Sequence, residues 1–254
     1  MNVQKWLDHF AGNTAAEKIA WEQACNLPGE IRVPLARSLA IFQLGETGEG
    51  NALFRLARSC RGVPGLERYE EALRAFVLEE NRHAEILKDM VQRVGGTLLT
   101  KQWSDRVFRS VRKLVNLEFE LQTLLTAELI AEAYYELLRR TVDDQPIQQA
   151  CARIMKDEVG HTGFHAAFFG YRNLSWSQPI RCAWKISLHA LTEVAWRVVW
   201  LDHRSCFKAL HLERDQFASH VRKARRTWFR RVGKAGQEKR GRVSAMEASV
   251  GHST

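Results

Sequence analysis

Two segments of this chain carry residues able to ligate a metal ion. They are Glu80-Asn81-Arg82-His83 and Glu158-Val159-Gly160-His161, both of the form E-x-x-H. On a helix that spacing stacks a carboxylate and an imidazole one turn apart on one face. A single such motif usually marks a solvated helix residue with a histidine nearby. Two of them, each with a Glu on the preceding helix, match the ligand set of a carboxylate-bridged dinuclear centre: Glu, Glu-x-x-His, Glu, Glu-x-x-His. Glu46 and Glu128 supply the single carboxylates. Glu49 is the alternative ligand of the first helix or a channel residue, and His165 and Glu132 are further metal or channel candidates. Glu128, Glu132 and Glu136 also read as an exposed acidic ridge.

Helices must position these residues, and nearly the whole chain reads as helix. With prolines accepted in first turns and glycines as stops, the core helices are expected from Pro34 to Arg61, Pro64 to Gly95-Gly96, Asp105 to Thr141, and Pro146 to Tyr171. Short helices precede them over Val3 to Phe10 and Thr14 to Cys25. Others follow over Ile180 to Cys206 and His211 to about Arg231. No period-2 stretch suggests a sheet. The stripe of the second helix is Leu66, Tyr69, Leu73, Phe76, Glu80, His83, Leu87 and Met90. That of the fourth is Ile147, Cys151, Ile154, Glu158, His161, His165 and Phe168, so ligand types replace core residues in both.

Register supports a common level. Glu128 and Glu158 lie equally far from position 143, within one expected turn, and Glu46 and Glu80 lie equally far from position 63, within another. Gly45, Gly48 and Gly50 sit beside Glu46 and read either as a break in the first helix or as a bulge permitting close backbone approach. Three glycines cost a helix about 3 kcal/mol relative to alanine. Four carboxylates at one height of a core would repel one another severely without cations between them.

The 254 residues are 45% hydrophobic and 26% charged, as expected of a soluble globular protein that buries a sizeable core. No apolar run approaches the roughly 20 residues needed to cross a bilayer, and the N-terminus has no signal-peptide layout. Cys25, Cys60, Cys151, Cys182 and Cys206 form no C-x-x-C pair, which argues against a disulfide framework, a zinc ribbon or a rubredoxin-type site. A cytoplasmic location, peripheral to a membrane at most, is expected. The net charge of +9 resides between Arg222 and Arg242, where ten bases face one acid, Glu238. The organisation read from these features is an N-terminal helical segment (1–30), a four-helix unit with the metal site (31–175), Trp-rich and basic helices (176–232) and a disordered tail (233–254).

With Glu79-Glu80-Asn81-Arg82-His83 and Asp157-Glu158-Val159-Gly160-His161 as its strongest residues, the stretch from Pro34 to Tyr171 resembles the ferritin-like di-iron carboxylate superfamily. The D/E-E-x-x-H form is most similar to its oxygen-activating branch. The resemblance implies an all-α, ferritin-like four-helix bundle with additional N-terminal and C-terminal helices. It also implies that Glu46, Glu80, His83, Glu128, Glu158 and His161 ligate the metal pair. Asp157 and Glu79 inherit the role of orienting the ligating histidines. His165 departs from the pattern, and the segment from Trp176 has no assigned counterpart.

Two Fe ions are the expected cofactor, with Mn or a mixed Mn/Fe pair equally compatible with the ligand types. The expected function is activation of O2 to oxidise or oxygenate a small organic or carrier-bound substrate. The alternatives are a ferritin-like iron-binding or ferroxidase protein, or a non-catalytic scaffold with a structural metal site. No flavin, nicotinamide or Fe–S motif is visible, so an external electron donor is required. The basic segment around Trp228 suits an acidic protein or an anionic membrane surface, whereas no nucleic-acid motif accompanies it. The bland reading of that segment is a solubilising tail. Oligomer formation stays open.

Overall fold

A computed structural model describes residues 1–13, 18–47, 50–104 and 116–250, with side chains to residue 237. All regular structure among the described residues is helical: α1 (Val3–Gly12), α2 (Gly29–Glu46), α3 (Asn51–Ala57), α4 (Tyr69–Arg93), α5 (Leu117–Thr141), α6 (Gln145–Ser175), α7 (Gln178–Asp202), α8 (Arg204–Ala209) and α9 (Arg214–Val250). A 3-10 turn covers Arg58–Cys60. No helix among these residues is long and apolar enough to cross a membrane.

Local chemistry sets the ends of the central helices. Asn116 and Asp144 cap α5 and α6 by accepting from Phe119 N and Ile147 N. Pro146 stands in the first turn of α6, where its missing N–H costs nothing. Arg93 ends α4; Gly95 then turns left-handed at φ 74°, its N–H bonding Gln92 O and that of Gly96 bonding Val91 O. A Cβ at Gly96 would stand 2.7 Å from Ala36 Cβ, so the glycine lets the end of α4 meet the start of α2.

The first expected core helix is divided. Helix α2 begins at Gly29, so Pro34 lies inside it, beyond its first turn, and α2 stops at Glu46. Gly50 is left-handed at φ 66° and faces the Phe54 ring, where a Cβ would be only 2.7 Å from Cζ. Gly50 therefore marks a break, and α3 continues on its far side. The second short helix expected over Thr14 to Cys25 is absent over 18–25, while 14–17 lie outside the described residues. There Arg93 draws the carbonyls of Trp21, Gln23 and Ala24 onto its guanidinium and also clasps Asp144 at 2.8 Å through both Nε and NH2. Carbonyls committed to that cation are unavailable to a helix. Helix α4 starts at Tyr69 rather than near Pro64, because Gly65 takes φ 78° in the intervening turn. The third expected helix does not run unbroken from Asp105 to Thr141: Asn116 is extended at φ −153°, ψ 179°, so α5 begins at Leu117, while 105–115 lie outside the described residues.

Helix α2 packs along α4 and α5 along α6, α4 faces α6, and α9 lies against α5 and α6. Two apolar clusters fill the interior. One joins Leu35, Leu39, Leu87, Met90, Ile130, Leu138, Ile147 and Ile154. The other joins Leu53, Leu73, Phe76, Leu121, Leu125, Phe164 and Phe168. Along α4 the second cluster precedes the first, along α6 it follows, and Glu79–His83 and Asp157–His161 fall between. The E-x-x-H segments therefore form a polar layer between two greasy halves. Trp184, Trp196 and Trp228 are buried, and Trp228 donates its indole N–H to Thr162 O at 2.9 Å. Arg222 and Arg225 bond Glu193 of α7. The basic stretch is thus docked on the core as far as Arg231, and the helical backbone continues past Gly233 to Val250.

Gly96→Ala should lower stability by about 1–3 kcal/mol, since neither Ala36 nor Val91 can yield without moving backbone. Gly62→Ala, with open space at its Cβ, should be close to neutral. Thermal melts of the two variants test this assignment.

Candidate metal centre

Glu80, His83, Glu158 and His161 each place one ligand atom within 4.8 Å of those of the other three. Both histidines are fully buried, Glu158 is 2% exposed and the Glu80 side chain 17%. His161 Nδ1 lies 2.7 Å from Glu80 Oε1 and 3.5 Å from both Glu158 Oε2 and Glu128 Oε2. His83 Nδ1 lies 3.5 Å from Glu158 Oε1 and 3.9 Å from Glu80 Oε1. The buried atoms Glu80 Oε1, His83 Nδ1, Glu128 Oε2, Glu158 Oε2 and His161 Nδ1 lack a hydrogen-bond partner and converge here. A polar atom left so costs about 1–3 kcal/mol, which a bound cation would remove.

Each imidazole turns its other nitrogen to an acid on the opposite helix. His161 donates Nε2–H to Glu79 Oε2 at 3.1 Å, and His83 donates Nε2–H to Asp157 Oδ2 at 3.3 Å. The acids accept only, so Nε2 carries a proton whatever the charge of the ring, and Nδ1, the nitrogen whose lone pair is free once the ring is neutral, is turned to the cluster. The pairs cross: Glu79 of α4 holds the histidine of α6, and Asp157 of α6 holds that of α4. Arg82 bonds Glu79 Oε1 at 2.8 Å, and Arg153 Nε lies 3.3 Å from Asp157 Oδ2. Neither arginine was singled out from the sequence. Arg82 lies inside its E-x-x-H motif, and Arg153 precedes Asp157 by one turn, which is the only signal available.

The remaining candidates lie around this group. Glu46 accepts from Tyr135 OH at 3.2 Å and touches Glu80. Glu128 contacts Glu158 and His161. His165 is fully buried with neither ring nitrogen hydrogen-bonded, its Nε2 3.9 Å from Glu128 Oε1. Glu132 is half-buried, and its carboxyl is raised by burial and opposed by Arg231. Glu49 lies outside the described residues. Tyr134, next to Tyr135 in the chain, turns away from the group, its OH 2.6 Å from Ser38 Oγ.

With no cation between them, these groups share protons. Burial, then Glu80 and Glu158, raise Glu46 well above the carboxylate range, and burial, then Glu158 and Glu80, do the same for Glu128. Burial would raise Glu158 too, but the close approach of Glu128 and His161 holds it well below. Burial pulls the histidines down, yet their carboxylate partners outweigh it, lifting His83 to about 9 and raising His161 well above the ordinary value. Burial and the facing His161 pull His165 down to about 3, so it is neutral and its lone pair is available.

Comparison with known proteins finds no significant match to any family model, curated protein or solved structure.

The raised groups fix the sign of a pH effect. A histidine whose folded pKa exceeds its unfolded value near 6.5 stabilises fully below that pH, and the contribution disappears as pH rises through the folded value. Metal-free protein should therefore lose thermal stability between about pH 6.5 and 9. Glu46 and Glu128 act in the same direction, and the depressed Glu158 matters only in acid. His83→Asn should flatten the slope in differential scanning calorimetry.

Proposed function

We propose that this chain is a ferritin-like di-iron carboxylate protein of the oxygen-activating kind, oxidising or oxygenating an organic substrate. The observation carrying the reading is the crossed arrangement of the two D/E-E-x-x-H segments. Each presents one Glu and one His Nδ1 to a shared buried cluster and lends its preceding acid to the other segment's histidine. A structural ion needs only a closed set of ligands. Here Glu46, Glu80, His83, Glu128, Glu158 and His161 provide six side chains, of which four are carboxylates able to bridge two ions. Two iron ions would supply the electrons that reduce O2.

The residues of the chain perform the remaining tasks. Glu79 and Asp157 hold the imidazoles in one tautomer. The apolar clusters on either side keep bulk water from the carboxylates, which strengthens every charge interaction within the layer. Phe76, 4.7 Å from His161 and 5.4 Å from His165 between ring centroids, walls the centre on one side. Tyr135 donates its phenolic proton to Glu46 and thereby orients that carboxylate. Electrons come from a separate donor. Lys223, Arg226 and Arg230, exposed on α9, offer an acidic partner a place to dock.

Protein loaded with Fe(II) without oxygen and then exposed to air should hold about two irons per chain and take up O2 with a transient visible band. Glu128→Ala and His161→Ala should each abolish both. Iron accumulating far beyond two per chain would favour the ferroxidase alternative. Metal bound without O2 uptake would leave a structural site, and no bound iron or manganese would sink the reading altogether.

A further inference from the structure

The acids that hold the two histidines are themselves joined by a residue from outside the core helices. Asn13 follows α1, and its amide nitrogen lies 2.7 Å from Glu79 Oε1 and 2.7 Å from Asp157 Oδ1. Ionised carboxylates only accept, so it is the nitrogen of the amide that faces them, and both its hydrogens are used. Arg153 donates to the backbone carbonyl of Asn13 at 3.1 Å while its Nε stands beside Asp157. Asn13 is also the C-cap of α1, but its φ of −88° is not the left-handed conformation for which asparagine is favoured there. Capping does not account for the side chain.

Helix α1 is brought to this place by two glycines of α6. A Cβ at Gly163 would stand 3.0 Å from the Trp6 ring, and one at Gly160 would overlap His9, 2.2 Å from its Nε2. With those side chains missing, α1 lies directly over the segment that carries His161. Phe10 of α1 reaches within 6.2 Å of the His161 ring, centroid to centroid. An unbroken chain of hydrogen bonds then runs His83 Nε2, Asp157, Asn13, Glu79, His161 Nε2.

We propose that Asn13 is a positioning residue that couples the two histidines of the centre. It fixes the two outer acids at one separation, and so aims both Nδ1 atoms at the carboxylate layer together rather than one at a time. The N-terminal helix is on this account part of the metal centre. The coupling rests on the metal reading for its purpose, though not for its geometry, and the two can be separated by experiment.

The first measurement uses metal-free protein labelled with 15N-histidine, whose Nε2–H resonances for His83 and His161 are assigned from His83→Gln and His161→Gln. Asn13→Ala should shift both resonances and speed the exchange of both protons with water. The second measurement is a Co(II) titration followed by the visible bands of the bound ion. Asn13→Ala should weaken binding by up to about 10-fold, the lower end of what loss of a partner bonded directly to a ligand costs at other metal centres, and should weaken both ions together. Asn13→Asp keeps the shape but exchanges two donated hydrogens for a third acceptor. It should move both readouts at least as far, and it serves if the alanine variant fails to fold. A folded variant in which only one histidine responds, or which keeps a Co(II) affinity that the unmodified protein shows, would overturn the proposal. If both resonances move but the unmodified protein binds no Co(II), the coupling stands and the metal reading falls.

Discussion

Everything in this fold accommodates a layer of carboxylates withdrawn from water halfway along a set of packed helices. Glu128 and Glu158 are nearly inaccessible, and Glu46 and Glu80 only partly reach the surface. Ionised together they would repel one another by several kcal/mol. Without a cation the strain is eased by shifted protonation: burial and mutual repulsion favour the protonated carboxyls of Glu46 and Glu128, and the surrounding carboxylates favour the charged forms of His83 and His161. Such a layer costs folding energy, and the leucine- and phenylalanine-rich clusters above and below it supply the burial that offsets that cost.

The crossed outer pairs have a mechanical effect as well as an electronic one. Glu79 with His161 and Asp157 with His83 are two bonds between α4 and α6 at almost the same height. Sliding one helix past the other by a turn breaks both pairs at once and strands four buried polar groups. Removing one partner of a buried charged pair typically costs about 3–5 kcal/mol. Apolar packing alone tolerates slippage far better, because one leucine resembles the next. The polar layer therefore sets the register that the greasy layers leave loosely defined.

Much of this was legible in the residues. The ends of α4 and α5, the start of α6 and the run of each through the site followed from periodicity, the Pro146 and Gly95 signals and the intrusion of Glu and His into apolar stripes, whereas α5 starts at Leu117 rather than near Asp105 because Asn116 caps it. Those intrusions also named the four residues that converge. Sequence distance was a poorer guide around α2. Glu46 does reach Glu80, but through a broken helix and a turn at Gly65 rather than along one uninterrupted hairpin. Local glycine signals outweighed helical propensity there. The segment 18–25 misled because its carbonyls are claimed by Arg93, seventy residues away in the chain, and no local pattern encodes that. Asn13 and Arg153 were invisible for the same reason, since a lone asparagine after a short helix resembles any surface residue.

The end of α2 distinguishes one ligand candidate from the rest. Glu80, His83, Glu128, Glu158 and His161 all project from the interiors of helices whose hydrogen bonds continue in both directions. Glu46 is the last helical residue of α2, and Thr47 after it is already extended at φ −75°, ψ 121°. Five of the six are therefore flanked by helix on both sides, whereas Glu46 has helix on one side only, with Glu80 and the Tyr135 hydroxyl beside its carboxyl. The cluster is thus framed by continuous helix at every candidate ligand but one.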